Sequence, residues 1–147
     1  MSTSIRSLLG LKRWKEDELK SLFALLIREL HAEEEKLETL ESQHAIIGAG
    51  HNNGGDELVD IAEIRRMQDY AEHLVLQVRR QRAVIAAKQN QVDEARAFLL
   101  DATKERKTFE RLDDKQRRDA EQDQQRREQN DADERAVITY GRRKEKR

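Results

Sequence analysis

Three sets of residues in this sequence have the types that do chemistry. The first is a run of carboxylates, Glu33-Glu34-Glu35. Paired carboxylates serve general acid-base catalysis when a cleft drives their pKa values apart. The second set is the four histidines, His31, His44, His51 and His73, of which none falls in an H-x-x-x-H or H-E-x-x-H spacing. Two imidazoles therefore never share one helix face as metal ligands. The third is Gly48-Ala49-Gly50 followed by Gly54-Gly55, which has the glycines of a phosphate-binding loop without the terminal Gly-Lys-Ser/Thr. It also follows a helical pattern where such a loop follows a strand, so it reads as a turn. No catalytic residue, cofactor-binding residue or metal ligand is assigned. The expectation is a protein that is not an enzyme and takes no cofactor and no small-molecule substrate.

Composition points the same way. The chain is 36% hydrophobic, 40% charged and 4% aromatic, which is too polar for a thick core. There is no proline, and only 6 glycines interrupt 147 residues. Long helices that bury a narrow seam satisfy such a composition. Lys and Arg total 29 against 30 Asp and Glu, which leaves no positive field for a phosphate backbone, so nucleic acid is not an expected partner. The absence of cysteine excludes disulfides and thiolate chemistry and fits a reducing compartment. Leu22 to Ile27 is the longest strongly apolar run, far short of the roughly 20 residues of a membrane span. With no signal-like segment from Met1 to Arg6, a cytoplasmic location is expected.

Two heptad patterns organise the chain. Leu19, Phe23, Leu26, Leu30, Leu37, Leu40, His44 and Ile47 step by fours and threes, interrupted at Glu33. Upstream, Ile5, Leu8, Leu9, Leu11 and Trp14 are apolar but spread over more of the helix circumference. The second pattern is Ile64, Met67, Ala71, Leu74, Val78, Gln81, Ile85, Lys88, Val92, Ala95, Leu99 and Ala102. Its strict seven-residue repeat implies a left-handed supercoil. Between the patterns, four glycines and two asparagines gather in residues 48–55, and Asp56, or Asp60 with Glu63, can cap a second helix.

The expected fold is all-α: a long two-helix antiparallel coiled-coil hairpin with an overhanging C-terminal helix. Helix 1 spans 1–47, the turn 48–56 and the paired part of helix 2 57–104. A polar overhang then spans 105–140 and a basic tail 141–147, with Gly141 as the helix stop. A reversal near Gly50 to Gly55 sets Leu30 opposite Leu74 and Leu19 opposite Ile85, so helix 1 runs out near Leu100 to Lys104. Pairs such as Asp113 with Arg117 support the bare arm locally. Packing against the opposite helix is the default for Trp14 and Tyr70.

The C-terminal third is specific enough to suggest a family. Arg106-Lys107-Thr108-Phe109-Glu110-Arg111-Leu112, then Glu128-Gln129, Asp133-Glu134-Arg135-Ala136 and Arg142-Arg143, resembles the C-terminal half of the flagellar export proteins of the FliJ family. Phe109 stands at the second apolar position of that family's basic-apolar stretch, and the Glu128-Gln129 and Asp133-Glu134 pairs are intact. The resemblance implies a stalk component of the type III apparatus that exports flagellar subunits. Its implied partners are the hexameric export ATPase, a membrane-embedded export gate protein and export chaperones. The implied location is cytoplasmic, held peripherally at the inner face of the cell membrane through that apparatus.

On this resemblance Phe109, Glu110, Arg111, Leu112, Glu128, Gln129, Asp133, Glu134, Arg142 and Arg143 are candidate ATPase contacts. Leu40, Met67, Tyr70 and Leu74, near the turn, are candidate gate contacts. A virulence type III secretion stalk protein, or a generic cytoplasmic coiled-coil adaptor or chaperone, fits the heptads as well. A filament-forming parallel dimer would have no use for a reversal at residues 48–55.

Overall fold

The computed structural model describes residues 2–53 and 60–146, with side chains from Ser4 to Gly50 and from Asp60 to Lys146. The fold is all-α. Helix α1 spans Ser2–Asn53 and helix α2 spans Ile61–Glu145, 52 and 85 residues respectively, with no strand among the described residues.

Asp60 opens α2. Its Oδ1 accepts a hydrogen bond from the Ala62 N–H at 3.1 Å, and its carbonyl accepts from the Glu63 and Ile64 N–H groups. The Ala62 and Glu63 groups are orphan donors of the first helical turn and the Ile64 bond is the first regular one of the helix, while Glu63 adds an acid at the positive end of the helix dipole. The alternative cap, Asp56, lies outside the described residues.

The helix boundaries differ from those the glycines suggest. α1 continues through Gly48, Ala49 and Gly50 to Asn53, past the expected end at Ile47, and α2 begins at Ile61 where 57 was expected. No described glycine has a positive φ. Each glycine costs a helix only about 1 kcal/mol relative to alanine, which does not stop a long helix free of proline. For the same reason α2 passes through Gly141 to Glu145, so the expected stop there is absent.

The described contacts divide into two compact units. In the unit Asp17–Asp101, the α1 residues turned inward are Leu19, Phe23, Leu26, Leu30, Glu33, Leu37, Leu40 and Ile47. From α2 come Ile64, Ala71, Leu74, Val78, Gln81, Ile85, Lys88, Val92, Ala95 and Leu99. Leu74 and Val92 are the most enclosed, at 1% and 0% exposure. His44 is exposed, off the seam where the heptads placed it.

Polar contacts within this unit fix which residues meet. The Gln81 side chain donates to the Glu33 carbonyl at 2.9 Å and to its carboxylate at 2.6 Å. Lys88 reaches Glu29 at 2.7 Å, and the Arg96 guanidinium lies 5.7 Å from the Phe23 ring centre. As residue numbers rise along α2, their partners fall along α1. Leu30 therefore stands near Lys88 and not near Leu74, a register roughly two heptads from the expected one. α1 runs longer and α2 starts later than the glycine cluster implied, and both differences move the pairing in this direction.

The other unit joins Met1–Glu16 to Ala102–Arg147. Ile5, Leu9, Lys12 and Glu16 continue the spacing of fours and threes on α1, facing Ala102, Arg106, Phe109 and Asp113 of α2. Half of these seam residues are charged. It extends to Asp113, beyond the Leu100 to Lys104 limit expected from counting. From Asp114 to Lys146 every residue is exposed.

Candidate functional site

Charged residues in a seam must find partners, and here they form a connected set. The Arg106 guanidinium donates through Nε to Glu16 and through Nη1 to Glu110 at 2.8 Å. Arg13 approaches Glu110 from the other helix at 3.4 Å. Lys12 binds Glu105 at 2.9 Å, and its ammonium lies 5.6 Å from the Phe109 ring centre. Glu16 is 2% exposed, so its carboxylate depends on these partners to offset desolvation.

Arg106 holds the Glu110 carboxyl below its usual range, with Arg13 adding to the effect. Lys12 lowers Glu105 in the same way, assisted by Lys15, while Glu110 and Glu16 push the Arg106 pKa up. In the other unit the Gln81 hydrogen bond lowers Glu33, with Lys36 next in effect. Every one of these shifts strengthens a charged form. A general acid at neutral pH requires a carboxyl raised toward the working pH, so these groups are arranged to hold surfaces together.

The candidate ATPase residues fall into two groups. Phe109 and Glu110 are half-buried and already engaged by Lys12 and Arg13 across the seam and by Arg106 one turn earlier on α2, whereas Arg111 and Leu112 are exposed beside them. Glu128 accepts a hydrogen bond from Gln124 one turn earlier at 3.3 Å. Together with Gln129, Asp133, Glu134, Arg142 and Arg143 it lies on the fully exposed stretch of α2. Asp113 is buried and pairs with Arg117 at 3.0 Å, the i,i+4 contact read from the sequence.

The candidate gate residues also separate. Tyr70, at 49% exposure, and Met67 are on the surface, and Leu40 is half-buried. Leu74 is enclosed in the core, so it supports the surface from beneath and offers nothing to a partner. Met67 borders a shallow depression of about 200 Å³ lined also by His44, Ile47, Gly48, Gln68 and Ala71.

Val137, Ile138 and Tyr140 were missed by the sequence reading. They are exposed large hydrophobic residues at the end of the polar stretch of α2. The signal was present in Ala136-Val137-Ile138-Thr139-Tyr140, a short apolar island after a long run of charge. Trp14 is 62% exposed and Tyr70 49%, so each leaves about half or more of its surface outside the interhelical packing expected by default.

Comparison with known proteins adds one positive finding. The family described as Flagellar FliJ protein matches residues 1–145. No curated protein and no solved structure matches the chain.

Proposed function

We propose, from the premise that this chain belongs to the flagellar FliJ family, that it is the stalk that engages the hexameric export ATPase through its C-terminal arm. Membership makes it a component of flagellar protein export, in a family of non-catalytic proteins. The finer reading is an antiparallel coiled coil whose second helix continues past its partner as a bare polar arm. The observation that carries it is the change at Asp113: α2 buries a heptad face up to that residue, and from Asp114 to Lys146 it remains helical with every residue exposed.

An exposed helix of that length has given up the burial that stabilises most helices. It is held by local ion pairs and by continuity with the seam, and it leaves both faces available to a surrounding partner. A ring lumen that contacts a helix on all sides suits such an arm. ATP hydrolysis belongs to the ring. Near the start of α2, Met67 and Tyr70 form the small exposed apolar surface assigned to the export gate, with Leu40 at its edge. Export chaperones are further partners of the assembly. Its place is the cytoplasmic face of the cell membrane, reached through the gate.

The test is a binding titration of the purified export ATPase against the full chain and against a chain lacking residues 114–147. The cut follows Asp113 because that side chain is buried in the seam. The truncated chain should keep cooperative unfolding and lose ATPase binding. Undiminished binding by the truncated chain would refute the assignment of the arm.

A further inference from the structure

The two units differ in what holds their helices together. Among the heptad positions of α1 from Leu19 to Leu40, only Glu33 is charged. In the unit that joins Met1–Glu16 to Ala102–Arg147, four of the eight heptad positions are charged: Lys12 and Glu16 on α1, Arg106 and Asp113 on α2. Apolar burial there rests on Ile5, Leu9, Ala102 and Phe109. The rest of the closure is electrostatic, through Lys12 with Glu105, Arg13 with Glu110 and Glu16 with Arg106.

Such contacts hold a helix less firmly than leucines do. Ion pairs open to water contribute little and are screened by salt. A buried pair such as Glu16 with Arg106 regains in attraction about what it loses in desolvation. The stretch is also a helix terminus, and once released a segment of that length is marginal as a helix. These same residues cover two of the candidate ATPase contacts. The Lys12 ammonium lies 5.6 Å from the Phe109 ring centre, and Arg13 reaches Glu110 at 3.4 Å.

We propose that residues 1–16 of α1 are a releasable clasp: they separate from α2 while the helices between Asp17 and Asp101 stay paired, and their release uncovers Phe109 and Glu110 for the export ATPase. The uncovering for the ATPase rests on the function proposed above, whereas the release itself does not. The latch is the pair Glu16 and Arg106. Both side chains occupy heptad positions where leucines would close the seam firmly, so a charged pair there trades stability for an end that can open.

The chain contains no cysteine, so paired spin labels can be placed without background. Leu8→Cys with Thr108→Cys reports on the clasp, and Leu22→Cys with Phe98→Cys reports on the leucine seam, all four side chains being exposed. Between 0.01 M and 1 M salt the screening length falls from about 30 Å to about 3 Å. Over that range the distance between positions 8 and 108 should gain a long component, and the distance between 22 and 98 should not change. Glu16→Leu combined with Arg106→Leu should abolish the long component. That variant should also bind the purified export ATPase roughly tenfold or more weakly, because apparent affinity falls with the fraction of chain in the competent state. A bis-maleimide bridge across the Leu8→Cys, Thr108→Cys pair closes the clasp with Glu16 and Arg106 intact and should weaken binding in the same way. A single short distance between 8 and 108 at 1 M salt, or separation of both pairs together, would overturn the proposal. So would undiminished ATPase binding by the bridged chain, a result that leaves the assignment of the arm standing. Failure of that assignment shows separately, as undiminished binding by the chain lacking residues 114–147.

Discussion

Replacing Leu74 with alanine tests the packing of the seam at its most enclosed leucine. Leu74 is 1% exposed, so the substitution removes buried carbons and leaves a void between the helices. Leucine-to-alanine changes in cores cost about 2–5 kcal/mol, depending on how far the walls collapse. A two-helix seam is a single layer whose walls are free to close, which places the cost near the lower end, about 2–3 kcal/mol. For a chain of this size that corresponds to a fall in thermal midpoint of roughly 5–10 °C. Tyr70→Ala is the control. Its side chain lies one turn away on the same helix but is half-exposed, so its loss should cost under about 1 kcal/mol. Far-UV circular dichroism melts of the two variants beside the wild type provide the comparison. A fall below about 2 °C for Leu74→Ala, or equal falls for both variants, would refute the burial of Leu74 in the seam.

Two further outcomes follow from the charged seam and from one glycine. Glu105, Glu110 and Glu33 have depressed pKa values in the folded chain, so their ionised contacts stabilise it above the ordinary glutamate value of about 4.3. That contribution is lost as pH falls below about 4.3 through the depressed values. Hydrogen-exchange protection factors, which are corrected for the intrinsic rate at each pH, should then fall in residues 5–16 and 102–113 as the solution is acidified, and Glu110→Gln should remove part of that acid dependence. Gly10 lies inside α1 with nothing within 4 Å of the position a Cβ would take and no positive φ. Gly10→Ala should raise stability by up to about 1 kcal/mol, measured in urea unfolding.

The apolar heptads of the middle of the chain were legible in the sequence because one side-chain type marks one face. Leu19 to Leu40 and Ile64 to Leu99 turn inward as the spacing requires, except Met67, which is 40% exposed. Register was not legible, because sliding one helix by whole heptads keeps every apolar position on the seam. Specific polar partners distinguish the alternatives, and Glu33 with Gln81 and Glu29 with Lys88 are such pairs. Glu33 looked like an interruption of the pattern and proves to be a pairing point.

The seam of residues 5–16 was hidden for the opposite reason. Its inward positions include Lys12 and Glu16, while the more conspicuous Leu11 and Trp14 face outward. A hydrophobicity pattern cannot show that a buried carboxylate is paired with an arginine some ninety residues away, as Glu16 is with Arg106. Among the candidate contacts, Leu74 was misread for a related reason: the heptad that predicts its burial also argues against its exposure to a partner. The exposed residues Arg111, Leu112 and Gln129 stand where composition placed them, since a helix stretch with no apolar stripe has no face to bury.

The assignment of the arm is tested most directly by photo-cross-linking within the complex. A photoreactive residue is placed at Gln129 on the arm or at Asn90 on the exposed side of the paired region, and each chain is mixed with the purified export ATPase. Illumination should join the chain to the ATPase from position 129 and not from position 90. Adducts from position 90 with none from position 129 would contradict the account.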